Sequence, residues 1–254
     1  MFHVLISGCN GHMGQVVAQI CREAGDVEIA AGFDLLGQNN KDYPVLTSPD
    51  QFQGEADALI DFSSPAALPG LLRFAQERKI PLVLATTGYD QDQLNAIGEC
   101  AKAVPIFRSG NFSLGINVLM NLVTKAAAAL GEQYDVEIVE RHHHRKVDAP
   151  SGTALMLAQA AAEGLPYSPE YVYERQSVRQ PRGKTEIGIS SVRGGNIVGD
   201  HEVIFAGRDE VIELKHSAMS REVFASGALR AARYLATVKE PGLYSMKDLV
   251  QAII

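Results

Sequence analysis

Short apolar runs alternate with amphipathic stretches along the first half of the chain. HVLIS (3–7), VEIAAGFD (27–34), ALIDFS (58–63), PLVLATT (81–87) and VPIFRSG (104–110) have the apolar, β-branched content of buried strands. Between them, GQVVAQICREAG places Val16, Val17, Ile20 and Ala24 at helical spacing, and LPGLLRFAQERK and DQLNAIGECAKA have helical patterns of their own. Strands that are apolar throughout, separated by helices, predict a mostly parallel sheet covered on both faces.

From about Asn111 the pattern changes. FSLGINVLMNLVTKAAAALG predicts a long apolar helix, YDVEIVERHH a strand and DAPSGTALMLAQAAAEGL a further helix. Pro166 to Lys184 is polar, with no element predicted. TEIGISSVR, NIVGDHEVIFA and EVIELKHSA then predict three strands, joined by RGGN and AGRDE, whose Gly and Asp content is that of hairpin turns. REVFASGALRAARYLATV and SMKDLVQAII predict closing helices. A largely antiparallel or mixed sheet after a parallel half implies an α/β chain with a second domain of the α+β kind.

The chain has 254 residues, long enough for two modest domains, each with a core. Its net charge of -7 argues against a nucleic-acid binder. No signal peptide is visible at MFHVLISGCNG, and no uninterrupted apolar run approaches the roughly 18 residues of a membrane span. Cys9, Cys21 and Cys100 lie far apart without CxxC spacing. That usage fits a reducing cytoplasm and no structural metal.

Between the first strand and the first helix, GCNGHMG sets Gly8, Gly11 and Gly14 around Asn10, His12 and Met13. At such a junction the backbone can pass close to a pyrophosphate, and the helix start offers N–H donors to it. Asp34 ends the second strand, where a carboxylate would hydrogen-bond the adenosine ribose of a dinucleotide. No G-x-x-x-x-G-K-[ST] motif occurs, which excludes a P-loop. In open parallel sheets ligands bind at the carboxyl ends of strands. The turns there hold Phe62, then Ala85, Thr86, Thr87 and Gly88, then Gly110, Asn111 and Phe112, and we assign these to the cofactor as well. Asp34 is followed by two leucines, with Lys41 further along, so NADH is favoured while a loop lysine leaves NADPH open.

GCNGHMG, DFSSP, ATTGY, NFSLGIN, ERHHHRKVDAPSGTA and RGGNIVGDHEVIF stand in an order and spacing that resembles the dihydrodipicolinate reductases across essentially the whole chain. The resemblance implies a Rossmann-like dinucleotide domain (1–112 and 222–254) and a substrate-binding and tetramerisation domain (113–221), assembled as a homotetramer. It implies NAD(P)H-dependent reduction of dihydrodipicolinate, a cyclic dicarboxylate of lysine biosynthesis. Leu35 stands where some relatives carry an arginine for the 2′-phosphate, which weakens the case for NADPH, and Ala85 stands where a glycine often precedes Thr-Thr-Gly.

By the same resemblance His142 is the general acid, and an imidazole titrates near neutrality, as proton delivery requires. His143 binds substrate, and Lys146 pairs a substrate carboxylate and assists the proton step. Ser151, Gly152 and Thr153, at a helix start, hold the second carboxylate. His144 receives no role, Asp148 is expected to cap or orient the turn, and Arg193 and His201 are as well explained by structure as by function. The three adjacent histidines do not read as a metal site. Neighbours on a strand face opposite ways, and beyond Glu140 no carboxylate or thiolate stands at chelating spacing. Two other readings compete: an amino-acid dehydrogenase of the aspartate or homoserine type, and a non-enzymatic dinucleotide-binding redox sensor. The first does not need His-His-x-x-Lys with Pro-Ser-Gly-Thr. The second calls for a DNA-binding element or partner surface that the acidic chain does not show.

Overall fold

Residues 1–37 and 42–253 are described in a computed structural model, in which the chain forms two units. Lys41, invoked above for NADPH, lies outside the described residues. Unit 1 comprises Met1–Leu114 and Glu222–Ile254, and unit 2 comprises Gly115–Arg221.

Unit 1 follows the predicted alternation: β1 (Phe2–Ser7), α1 (His12–Ala24), β2 (Val27–Phe33), β3 (Val45–Leu46), β4 (Ala58–Asp61), α2 (Leu68–Arg78), β5 (Leu82–Leu84), α3 (Gln91–Cys100) and β6 (Pro105–Arg108). The strands form one parallel sheet of order β12-β6-β5-β4-β1-β2-β3, where β12 is Gly242–Tyr244. Val4, Leu5, Ile6, Leu59, Ile60, Leu82 and Val83 are all fully buried, which explains why these strands are apolar without alternation. The closing helices α6 (Glu222–Thr237) and α7 (Met246–Ile253) also belong to this unit. The buried face of α6 is mostly alanine and glycine (Ala225, Gly227, Ala228, Ala231, Ala232), small enough for close approach to the sheet.

Unit 2 contains α4 (Leu114–Leu130), β7 (Asp135–His142), α5 (Gly152–Gly164), β8 (Glu170–Val172), β9 (Glu186–Arg193), β10 (Gly199–Ala206) and β11 (Val211–Ala218). Its sheet is mixed, of order β11-β10-β7-β9-β8. β10 pairs antiparallel with both β11 and β7, while β9 runs parallel to β7 and to β8.

RGGN is therefore not a hairpin turn. β7 lies between β9 and β10, so those two strands are not neighbours. The RGGN backbone bonds instead to the end of β7: Gly194 N–H donates to His142 O (2.9 Å), and His144 N–H donates to Gly195 O (3.3 Å). AGRDE does join an antiparallel pair, β10 and β11.

With the turn that follows it (to Gln133), α4 is long and apolar enough to cross a membrane by length and composition alone. Ile116, Leu119, Val123 and Ala127 pack it into the core of unit 2, against Val136 and Ile138 of β7 and Leu157 and Ala161 of α5. An apolar core helix passes the same length and composition criteria as a span.

Candidate active site

In unit 1 the chain leaves β1 at Gly8 with φ +75°, a left-handed conformation that favours glycine. A Cβ on Gly14 would lie 2.1 Å from Gly8 O, so only glycine lets α1 start this close to the loop. The start of α1 has no side-chain cap and no acid in its first turn, which leaves its N–H groups and positive dipole end suited to an anion. Beside it opens a cavity of about 640 Å³ lined by Gly8, Gly11, Asp34, Leu35, Leu36 and Phe62 among others. That volume is in the range of small-molecule sites. Asp34 Oδ2 accepts Asn10 N–H (3.1 Å) and Oδ1 accepts Leu36 N–H (3.3 Å), so the acid braces both the loop and the cavity rim. Leu35 and Leu36 are 91% and 75% exposed, and the described residues lining the cavity include no lysine or arginine.

Of the residues assigned to the cofactor, Gly8, Gly11, Asp34 and Phe62 line this cavity. Asn10, His12, Met13 and Gly14 occupy the same loop and helix start. Ala85, Thr86, Thr87 and Gly88 follow β5, and Gly110 follows β6, at the same carboxyl ends of the sheet. Asn111 and Phe112 are different. The Phe112 ring is buried, 5.8 Å from Phe107 and 6.4 Å from Phe62, and Asn111 Oδ1 accepts Ser113 N–H (2.8 Å). Core packing and a local turn hold these two side chains, which leaves the backbone that follows β6 to face the carboxyl end of the sheet. The pattern also missed Asp61, a fully buried acid that accepts from Ser63 Oγ (2.5 Å) and Tyr89 OH (3.4 Å) and ties two strand-end turns together.

In unit 2, β7 alternates strictly: Val136, Ile138, Glu140 and His142 are buried, while the residues between them are not. Glu140 is fully buried and His142 is 8% exposed. Donors from four residues, Arg193, His142, Ser151 and Ser191, converge on the Glu140 carboxylate. Arg193 grips it with both terminal guanidinium nitrogens (Nη1 2.8 Å to Oε2, Nη2 2.7 Å to Oε1). His142 Nδ1 stands 2.5 Å from Oε2, and Ser151 N–H donates to Oε1 (3.1 Å). Burial pushes the Glu140 carboxyl upward, but hydrogen bonds from Arg193, Ser191 and His142 outweigh it and hold the pKa at about 2. Arg193 also donates to the carbonyl of Asp148 (2.7 Å), linking the carboxylate to the histidine-rich turn.

His201 of β10 stands across the ladder from Glu140, its ring T-shaped to His142 at 5.1 Å between centroids. Its Nε2 meets Ser151 Oγ at 2.8 Å. Burial and the neighbouring His142 push the pKa of His201 down to about 4, so it is neutral at pH 7.

Ser151 caps α5, its Oγ accepting Ala154 N–H (3.1 Å), and it is 2% exposed. With its N–H bonded to Glu140 and its Oγ to Ala154 N–H and His201, Ser151 organises the turn that starts α5. Gly152 is exposed and Thr153 half-buried in the first turn of α5, which carries no acid. Lys146 Nζ pairs with Asp148 Oδ2 at 2.9 Å, so Asp148 holds the lysine and does not act as a helix cap. Desolvation, then the neighbouring Arg145, Arg221, His142 and Lys146, push His143 downward. His144 Nδ1 and N–H both meet Gly195 O, which anchors the turn and leaves His144 without a chemical task.

Residues 2–112 match the family profile described as dihydrodipicolinate reductase, N-terminus, and residues 115–250 match its C-terminus. The chain is 52% identical over 251 residues to a 4-hydroxy-tetrahydrodipicolinate reductase of Caldanaerobacter subterraneus, covering 99% of each chain. It is 46% identical over 252 residues to that of Clostridium tetani, covering 99% of this chain and 98% of the relative. Among solved structures it resembles a dipicolinate-bound dihydrodipicolinate reductase from Paenisporosarcina with a TM-score of 0.81 at 25% identity, covering 98% of this chain and 99% of that one.

Proposed function

The chain belongs to the dihydrodipicolinate reductase family, and from that premise we propose how its residues carry out the family's reaction. It is an NAD(P)H-dependent oxidoreductase that reduces 4-hydroxy-tetrahydrodipicolinate to tetrahydrodipicolinate, in the diaminopimelate route to lysine. The observation that carries the catalytic proposal is the buried Glu140–His142 couple at the end of β7, whose carboxylate also holds the Ser151 N–H at the start of α5.

Loss of the 4-hydroxyl as water leaves a carbon–carbon double bond conjugated to the ring imine. A bound reduced nicotinamide supplies the hydride. When the hydride adds at the far carbon, the electrons shift toward the imine, and the carbon between them must take a proton. His142 supplies that proton, and Lys146 neutralises one substrate carboxylate and assists. The N–H groups of Gly152 and Thr153 and the Thr153 hydroxyl hold the second carboxylate, with His143 completing the site. In unit 1 the uncapped start of α1, brought close to the loop because Gly14 has no Cβ, fits a pyrophosphate, with Gly8, Asn10, Gly11, His12, Met13 and Gly14 around it. Asp34 is suited to the ribose hydroxyls, and Phe62, Ala85, Thr86, Thr87, Gly88 and Gly110 to the nicotinamide half. NADH is the favoured cofactor, supported by Asp34, the exposed Leu35 and a cavity wall without a described cation. We take the enzyme to be a cytoplasmic homotetramer, a reading that the free cysteines and the open strand edges β11 and β8 support.

Nicotinamide oxidation should begin when the protein meets dihydrodipicolinate synthase, pyruvate and aspartate semialdehyde, with a lower KM for NADH than for NADPH. No rate above background with either cofactor would overturn the proposal, and tenfold tighter NADPH binding by calorimetry would overturn the preference. Lys146→Ala should raise the substrate KM by roughly ten- to a hundredfold, the worth of a charge-assisted bond, with a smaller effect on kcat. Steady-state kinetics in which neither constant changes would remove Lys146 from the site.

A further inference from the structure

The chemistry above gives Glu140 no step of its own, yet it is an ionised carboxylate with no exposed surface. Burying such a charge is costly unless every lone pair is occupied, and here Arg193, His142 and Ser151 occupy them. The identity of these partners fixes a proton. An ionised carboxylate can only accept, so the hydrogen in the 2.5 Å contact must sit on His142 Nδ1. Nε2 is then the nitrogen that carries, or lacks, the exchangeable proton.

The surroundings of the ring agree with that division. A Cβ on Gly199 would lie 3.0 Å from His142 Nε2, so glycine at the start of β10 keeps the space beside that nitrogen open. His201 faces the ring edge-on and is neutral, and Arg193 lies on the carboxylate side. Through its other oxygen Glu140 holds Ser151 N–H, and through Arg193 it reaches the Asp148 carbonyl. One side chain thus ties the histidine, the lysine-bearing turn and the start of α5 together.

We propose that Glu140 is the positioning residue of this site, holding the proton on His142 Nδ1 so that Nε2 alone transfers, and fixing the α5 anion turn against that ring. It rests on the reading of His142 as the proton donor, but its first test does not depend on turnover. In long-range proton–nitrogen spectra of the intact wild-type protein at mildly alkaline pH, His142 should appear as the Nδ1–H tautomer. A neutral Nε2–H tautomer would overturn the proposal.

Glu140→Gln keeps the volume and removes the charge. It should lower kcat roughly a hundredfold, as loss of tautomer control does at other histidine sites, with a smaller rise in substrate KM as the α5 turn loosens and NADH affinity unchanged. The same variant should show a mixed or reversed His142 tautomer. A fall in kcat with the wild-type tautomer intact would mean that Glu140 merely supports the fold, and would sink the idea. Should the variant not fold, the wild-type spectrum decides. If His142→Gln kept full turnover while the wild-type spectrum showed Nδ1–H, the proton-donor assignment would fall and the orienting bond would stand.

Discussion

Replacing His142 with Gln is expected to lower kcat by roughly 10²- to 10⁴-fold, the range that a positioned general acid contributes, with NADH affinity unchanged. Gln is close enough in size to fill the buried position at the end of β7, and its amide N–H can still donate to Glu140, so the carboxylate keeps its partners. What disappears is the second nitrogen and its titratable proton. Because His142 belongs to unit 2 and the glycine cradle to unit 1, calorimetric titration of NADH reads cofactor binding separately from turnover. Steady-state kinetics with saturating cofactor then isolates the proton step. Turnover within about threefold of wild type would show that the proton comes from elsewhere, and the catalytic proposal would have to move to Lys146 or to solvent.

The parts of this site differ in how far the sequence exposed them, and the reasons are physical. β1, β4 and β5 were legible because they are buried on both faces, so their apolar runs are continuous. The short strands β3, β8 and β12 were not, because two or three residues carry no period, and only tertiary pairing makes them strands. RGGN misled because glycine-rich turns are local signals, whereas strand order depends on a segment about fifty residues earlier that inserts between β9 and β10. Glu140 was visible in principle. In Val136, Ile138, Glu140, His142 the period of two puts an acid on an apolar face, and such an acid requires a cation. The cation could not be named from local sequence, because Arg193 comes beside His142 only through the parallel register of β7 with β9. His201 reaches Glu140 in the same way, through the antiparallel register with β10. Resemblance supplied the residues proposed to face the substrate; the side chains that hold them had to come from the sheet.

Gly14→Ala should have the largest effect in unit 1, abolishing measurable NADH binding at ordinary concentrations and lowering the Tm by several degrees. The added methyl would sit 2.1 Å from Gly8 O and 2.7 Å from the Cα of Cys9, both backbone positions that no rotamer change can clear. Gly8 cannot retreat easily: its N–H donates to Phe33 O (2.8 Å), its carbonyl accepts Gly11 N–H (3.0 Å), and Phe62 O lies behind it. The helix must therefore move away from the loop. That loosens Val17, Ala18 and Cys21, which are at most 2% exposed, at a cost of about 1–3 kcal/mol or more. For a domain of this size such a loss corresponds to roughly 2–4 °C per kcal/mol. The same movement spoils the aim of the α1 N–H groups at a pyrophosphate, so binding should fail along with packing. Gly98→Ala is the matched control. Gly98 lies within α3, where an added Cβ meets nothing within 4 Å, so alanine there should hold or raise the Tm. If both variants behave alike by thermal melt and NADH titration, close approach at Gly14 does not create the cradle, and the cofactor assignment built on it fails.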